Sequence, residues 1–407
     1  MKKLIINRKS IYNFLIYFCV LIDFGFFYIK GTKPLVSTTI YSILCIVGVL
    51  FAIIENNFRI QMNNNSKYTI FFIVVLCICD IATFMRFHFS LKMFLVWGML
   101  RSTLLFSILL YKKIEFDGGI EKFMLICMYF SIIWEILGLL ENIAYFSSGI
   151  HILTDYLNTD YFIRGGYVRV SLNFMCIIVC VYVFAKILKA KESKLEVIYF
   201  VVTIVYQMTI DGTRTKQIAL VLMIVAMVFF TPMNIGKKRK LIYCALVISV
   251  GIILLQSSIL SNFIASFSVN QSNSMSLSTT QRLKEWDFYW EGYKNNWIWG
   301  MGDIIEGYGY DFYFNGGNKG FYVEDVGIVG SLARFGIFAG LLYGGLIFLQ
   351  VKNLILINDK YSVFYSFKIG ILIFTLFSMI NLSLLDQQSK LYLAVILTVS
   401  TYKECEV

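Results

Sequence analysis

Apolar runs of about 20 residues with few charges follow one another along the chain, each long enough for a helix to cross roughly 30 Å of hydrocarbon. They predict helices near 11–29, 35–54, 68–88, 91–111, 122–145, 168–188, 195–211, 215–232, 241–260, 323–350, 361–384 and 390–402. Most polar breaks between them are short. Two are not: one covers about 146–167, and the other, about 261–322, is much the longest segment outside the apolar runs. The pattern predicts an all-α polytopic membrane protein of about 12 transmembrane helices. Residues 1–260 would hold the first nine helices, 261–322 an extracytoplasmic loop, and 323–407 the last three helices and a cytoplasmic tail.

Composition supports this. Of 407 residues, 58% are hydrophobic and 15% charged, against about 25% charged in soluble domains. The formal charge of +11 would suggest nucleic acid in a soluble protein. Here the basic residues gather at run ends, as in Lys112-Lys113, Lys186 to Lys194 and Lys237 to Lys240. Such clusters mark cytoplasmic loops and orient the chain without any nucleic-acid partner. With the amino terminus inside, both long breaks lie outside. The first run has a basic lead and no small-residue cleavage site, so an uncleaved helix is expected. Eight of the nine cysteines lie in apolar runs, so disulfides are not expected.

Candidate chemistry concentrates in the outer segments. Four of the six tryptophans, Trp286, Trp290, Trp297 and Trp299, fall within fourteen residues, among several tyrosines. Arg282, Trp286, Tyr289 and Tyr293 are spaced by three or four, which puts them on one face of a helix. Aromatic rings with polar edges suit sugar rings, although membrane proteins also carry interfacial aromatic belts. Asp211-Gly-Thr-Arg214-Thr-Lys216 opens a helix whose amino terminus faces outward, where a phosphate or diphosphate would meet free N–H groups and two cations. A capped turn pairing Asp211 with Arg214 is the structural alternative. Arg164, Arg169 and Arg282 are further anion-binding candidates. Glu324-Asp325 opens the post-loop helix, as caps or as groups that orient or deprotonate a sugar hydroxyl. Within the apolar runs lie Asp23, Asp80, Arg86, Arg101, Glu135 and Arg334; such charges are usually paired, and Asp80 with Arg86 or Arg101 is the expected pair. Gly336, Gly340 and Gly344 suggest close helix packing. There is no phosphate loop, Asp-x-Asp pair or histidine cluster, so neither a cofactor nor a metal site is expected.

Three segments give a family resemblance. Asp211-Gly-Thr-Arg-Thr215 looks like a Ser/Gly-x-Arg-Thr turn. Gln281-Arg282-Leu283 with Trp286, then Trp299-Gly300-Met301-Gly302, resembles an Arg-x-x-x-Trp and Gly-x-Gly pattern. Glu324-Asp325-Val-Gly-Ile-Val-Gly330 and Arg334-Phe-Gly336-Ile are similar to the start of the helix after the long loop. Their order resembles the Wzy-type polymerases of capsule and O-antigen repeat units, relatives of the O-antigen ligases. The ligases carry a histidine where this chain has Glu324-Asp325, which favours polymerase and leaves the base unassigned.

The resemblance implies a GT-C-like, metal-independent glycosyltransferase in the bacterial cytoplasmic membrane, acting on undecaprenyl-diphosphate-linked oligosaccharides. Its further partners would be membrane lipids, a flippase and a chain-length regulator. Arg214 and Arg282 would stabilise the leaving diphosphate, with Glu324 and Asp325 as acid–base candidates. Arg164, Arg169, Lys216, Trp286, Tyr289, Trp290 and Tyr293 would hold substrate. The rival reading is a transporter or flippase of the same lipid-linked sugars; the absence of a visible internal repeat weighs mildly against it.

Overall fold

The computed structural model describes residues 8–26, 34–55, 63–87, 91–153, 163–164, 167–232, 274–303, 316, 319–381, 384–385 and 390–402. Of residues 34–35, 163–164, 214–215, 274–280, 324, 381 and 390 it describes the backbone alone. The described helices are α1 (Arg8–Asp23), α2 (Pro34–Glu55), α3 (Asn64–Phe87), α4 (Leu91–Asp117), α5 (Glu121–Ser148), α6 (Phe174–Leu188), α7 (Lys194–Tyr206), α8 (Arg214–Phe230), α9 (Ser274–Asn295), α10 (Gly327–Phe335), α11 (Ile337–Ile355), α12 (Val363–Asn381) and α13 (Lys390–Thr401). A two-residue hairpin, β1 (Ile163–Arg164) with β2 (Tyr167–Val168), is the one sheet described.

Among the described residues, six segments are long and apolar enough to cross a membrane: Val36–Glu55, Asn64–Phe87, Leu91–Asp117, Glu121–Ser148, Ile337–Ile355 and Val363–Ile380. The chain is therefore an all-α, multi-pass membrane protein. Its helices are apolar on the outside and partly polar within, the reverse of a soluble protein. On α3, Phe71, Val74, Ile78, Ile81 and Met85 are exposed, whereas Asn65, Thr69, Asp80 and Thr83 are buried. Lipid solvates the first set, and hydrogen bonds between helices satisfy the second. Asn65 joins three helices this way, donating to the Ser107 carbonyl at 2.9 Å and accepting from Thr401 Oγ1 at 2.8 Å. Shorter apolar helices fill the centre. All of Met175 to Leu188 on α6 is buried, against α5, α7, α8, α12 and α13.

Ion pairs show which helix ends lie together. Lys9 and Lys113 hold Asp117, and Arg8 and Lys112 hold Glu55. Three residues beyond Gly118, Glu121 pairs with Lys186, which also holds Glu196 at 2.6 Å. Lys189 then donates to the Pro232 carbonyl and, at 3.3 Å, to that of Lys360. One end of the bundle thus collects the basic loops, and the Asp211 turn, α9 and the start of α10 belong to the opposite end.

Two expectations need correction. Positions 323–350 do not form one helix. A 3₁₀ turn at Val323–Val326 precedes α10, and Gly336 separates α10 from α11. Gly327 has φ 54°, and a Cβ there would stand 2.4 Å from the Met379 carbonyl oxygen. Gly336 has φ 60° and ψ −145°, with the Ile298 carbonyl oxygen 2.1 Å from where a Cβ would lie. The stretch 297–302 lies across this break: Ile337 N–H donates to the Trp297 carbonyl at 2.8 Å and Gly302 N–H to that of Arg334 at 3.2 Å. Second, the Gly336, Gly340, Gly344 spacing is not a packing stripe, since nothing lies within 4 Å of a Cβ at Gly344. Gly336→Ala is expected to cost at least about 1–3 kcal/mol, because only glycine tolerates that backbone; thermal unfolding in detergent measures it, with Gly344→Ala as a near-neutral control. The predicted helix at 241–260 lies outside the described residues.

Candidate functional site

At the end opposite the basic loops, α9 lies on α10 and the 323–326 turn. Its contact face is apolar. Tyr289 packs with Val323, Val326, Val329 and Ala333, and donates from its hydroxyl to the Phe321 carbonyl at 3.3 Å. This corrects the one-face reading of Arg282, Trp286, Tyr289 and Tyr293. Tyr289, 1% exposed, is part of the core under the helix and is not on the open platform. Glu285, one turn earlier, is also buried and accepts from Tyr322 N–H at 3.4 Å. The open side carries Trp286 and Trp290, 38% and 44% exposed, with Tyr293 against Trp290 at 5.3 Å between ring centres. Trp297 and Trp299 are exposed as well, but Trp299 packs at a tilt on Phe338, 5.1 Å between ring centres, in the first turn of the membrane helix α11. These two suit an interfacial belt, whereas Trp286, Trp290 and Tyr293 stand away from it on α9.

Arg282 and Asp325 meet across the two ends of the long segment, with Nη2 to Oδ2 at 3.8 Å and both side chains nearly half exposed. A charge pair this open is weakly held and remains available to a ligand. Asp325 lies in the 3₁₀ turn ahead of Gly327, so it is not in the first turn of α10 as expected.

Beneath the platform is a buried charge cluster. Arg101 on α4 donates from Nε and Nη2 to both oxygens of Asp80 on α3, at 2.8 and 2.7 Å, and from Nη2 to Asp303. Arg334 on α10 donates from Nε to Asp303 at 2.8 Å. All four side chains are at most 4% exposed. Two positive and two negative charges cancel in a geometry that satisfies the forked guanidinium donors. Burial pushes the Asp303 carboxyl up, but Arg334 and Arg101 outweigh it and hold the group below the usual carboxylate range. Arg86 adds a further tie, donating to the Gly300 carbonyl at 3.1 Å and to Asn296 Oδ1 at 2.9 Å. Of the two partners that the sequence offers Asp80, Arg86 and Arg101, the fold uses Arg101, and Asp303 and Arg334 join the pair only through the fold.

The Asp211 turn is a second polar centre at this end. The buried Asp211 accepts from Leu172 N–H at 2.9 Å, from Thr213 and from Lys216 Nζ at 3.2 Å. Lys216 is buried and also donates to Ser171 Oγ at 2.7 Å and the Leu172 carbonyl at 2.6 Å. Arg169 donates from Nε to the Asp211 carbonyl at 3.1 Å and from Nη2 to Thr213 Oγ1 at 2.7 Å. Arg169 and Lys216, two of the cations that the sequence offers for substrate, therefore brace this turn, and Lys216 is a close partner of Asp211. Five residues, Gln207–Asp211, form a π-turn, and Gly212 at φ 59° reverses the chain so that α8 begins with its amino terminus at this end. The side chains of Arg164, Arg214 and Glu324 lie outside what is described.

Among the described residues, no group of three His, Cys, Asp or Glu side chains is placed to hold a metal ion. The chain matches no protein-family model, and no curated protein matches it.

Proposed function

We propose that this protein is a membrane glycosyltransferase that joins oligosaccharide repeat units carried on undecaprenyl diphosphate. It works at the end of the bundle opposite the basic loops, the outer face of the bacterial cytoplasmic membrane. Its transmembrane helices number about 12, with a GT-C-like arrangement. The observation that carries this reading is the open Arg282–Asp325 pair, 3.8 Å apart, one helical turn from the exposed Trp286.

In the proposed reaction a hydroxyl of one lipid-linked repeat attacks the anomeric carbon of the growing chain. The C–O bond to the diphosphate breaks with its electron pair, and the hydroxyl proton leaves to a base. Arg282 meets the negative charge that develops on the diphosphate oxygens, where a fixed cation contributes most. Asp325, beside it, is the group placed to orient Arg282 or to accept the proton. Trp286, Trp290 and Tyr293 offer flat faces to sugars. A flippase needs polar residues along a central cavity and little outside the span, whereas here exposed charge and aromatic side chains gather on α9 at one end of the bundle.

Sidedness tests the proposal. A cysteine replacing Ser274 is expected to react with an impermeant thiol reagent added outside intact cells, and one replacing Ser193 is not. The reverse pattern would put the α9 platform in the cytoplasm and remove the outer-face chemistry. Polymer formation is also expected to persist in EDTA; loss that Mg²⁺ or Mn²⁺ restores would contradict a metal-independent enzyme.

A further inference from the structure

Helix α5 carries two buried glutamates with opposite surroundings. Glu141, near the end of the helix at the Asp211 side, receives N–H bonds from Ile152 at 2.7 Å and Leu153 at 2.6 Å, with His151 Nδ1 at 2.9 Å. That is a cradle for a negative charge. Glu135 lies halfway along α5, is 2% exposed, and among the described residues meets only hydroxyls. Thr203 of α7 donates to Oε1 at 2.7 Å, and Ser131 Oγ stands 3.5 Å from the same oxygen. Tyr199 of α7 closes the group through Ser131 Oγ at 2.9 Å.

No cation faces Glu135 among the described residues. The titratable groups around it are Cys176 and Cys180 on α6 and Tyr199 and Tyr206 on α7, none of a type that carries positive charge. Tyr206 is turned away to the Val170 carbonyl. Lys216 is held by Asp211, Ser171 and the Leu172 carbonyl. From β2, Tyr167 is exposed beside Phe146, and Val168 pairs with Asn142. Phe26, packed on Phe130 and Trp134, adds only an apolar ring. An ionised carboxylate within the span would have hydroxyl dipoles as its sole solvation, whereas its neutral acid needs no counter-charge.

We propose that Glu135 is a proton-binding site inside the membrane bundle, occupied at neutral pH. The ligand is a proton taken from water, and its loss would put a bare charge into the α5–α7 seam. Packing of that seam is thereby linked to proton occupancy, whatever reaction the outer face performs.

Infrared difference spectroscopy of the full chain in lipid bilayers tests this without reference to activity. At neutral pH, wild type minus Glu135→Gln is expected to show the C=O stretch of a protonated carboxylic acid, shifted in D₂O. Thr203→Val removes the 2.7 Å hydrogen bond to that carbonyl and is expected to move the band to higher frequency. Should Glu135→Gln fail to accumulate, the Thr203→Val comparison decides by itself. Carboxylate stretches in place of the acid band, or an acid band that Thr203→Val leaves unmoved, would overturn the proposal.

Discussion

Asp303→Asn is expected to destabilise the protein by about 3–5 kcal/mol, the cost of leaving a buried charge without its partner. Arg334 loses its carboxylate, and Arg101 keeps only Asp80. The consequence is local first. Asp303 follows the 297–302 stretch that crosses the α10–α11 break, so α9 and its tryptophans lose their tie to α4 and keep on α3 the contacts with Arg86. Thermal unfolding in detergent gives the stability change, and limited trypsin digestion at Arg282, Lys284 and Lys294 reports release of α9. Asp303→Asn with Arg334→Met removes one charge of each sign and is expected to recover most of the loss. A single variant as stable as wild type would show that the cluster holds nothing in place. The sign with pH is fixed. A carboxylate held below its ordinary range stabilises above the unfolded-state pKa and is lost as pH falls through the folded one. The Asp303 contribution is therefore present at neutral pH and is lost as the solution is acidified.

Arg282→Ala is the variant expected to affect activity most. A hydrogen bond to a charged group contributes roughly 1.5–3 kcal/mol, which corresponds to about a tenfold to hundredfold loss in rate when it is made in the transition state. Arg282 is nearly half exposed and, among the described residues, held by the 3.8 Å contact with Asp325 alone, so truncating it is expected to leave the fold intact. Polymer should fall steeply while the protein stays inserted at normal abundance. Arg282→Lys should restore part of the activity, since an ammonium supplies charge but not the planar two-pronged donor. Activity falling only in step with protein level would make Arg282 a surface residue.

Much of the helix pattern is legible in the sequence because the solvent is lipid: an apolar run long enough to span it has few other uses. The runs at 35–54, 68–88 and 122–145 accordingly lie within a few residues of α2, α3 and α5. That Asp80 would be paired is readable because a charge in an apolar helix needs a partner, but the choice of Arg101 over Arg86 is made by the fold. The break at Gly336 is not readable, since its cause lies about 40 residues earlier, in the Ile298 carbonyl that occupies the space of a Cβ. For the same reason two of the segments that carry the family resemblance, Trp299–Gly302 and Arg334–Gly336, turn out to bind each other. Spacing also misplaced Tyr289. Three- and four-residue intervals put it on the same side as Arg282, but they cannot say which side of α9 another helix will cover. Lys216 illustrates the limit for charges: its pairing with Asp211 depends on the π-turn and Gly212, which reverse the chain between α7 and α8.

The most direct measurement counts products. Purified protein in lipid bilayers, given synthetic undecaprenyl-diphosphate-linked repeat units, should release one undecaprenyl diphosphate for each new glycosidic bond, with Arg282→Ala losing both together. Lipid-linked units that cross the bilayer unchanged, with no lipid diphosphate set free, would contradict a polymerase and leave the transporter reading in its place.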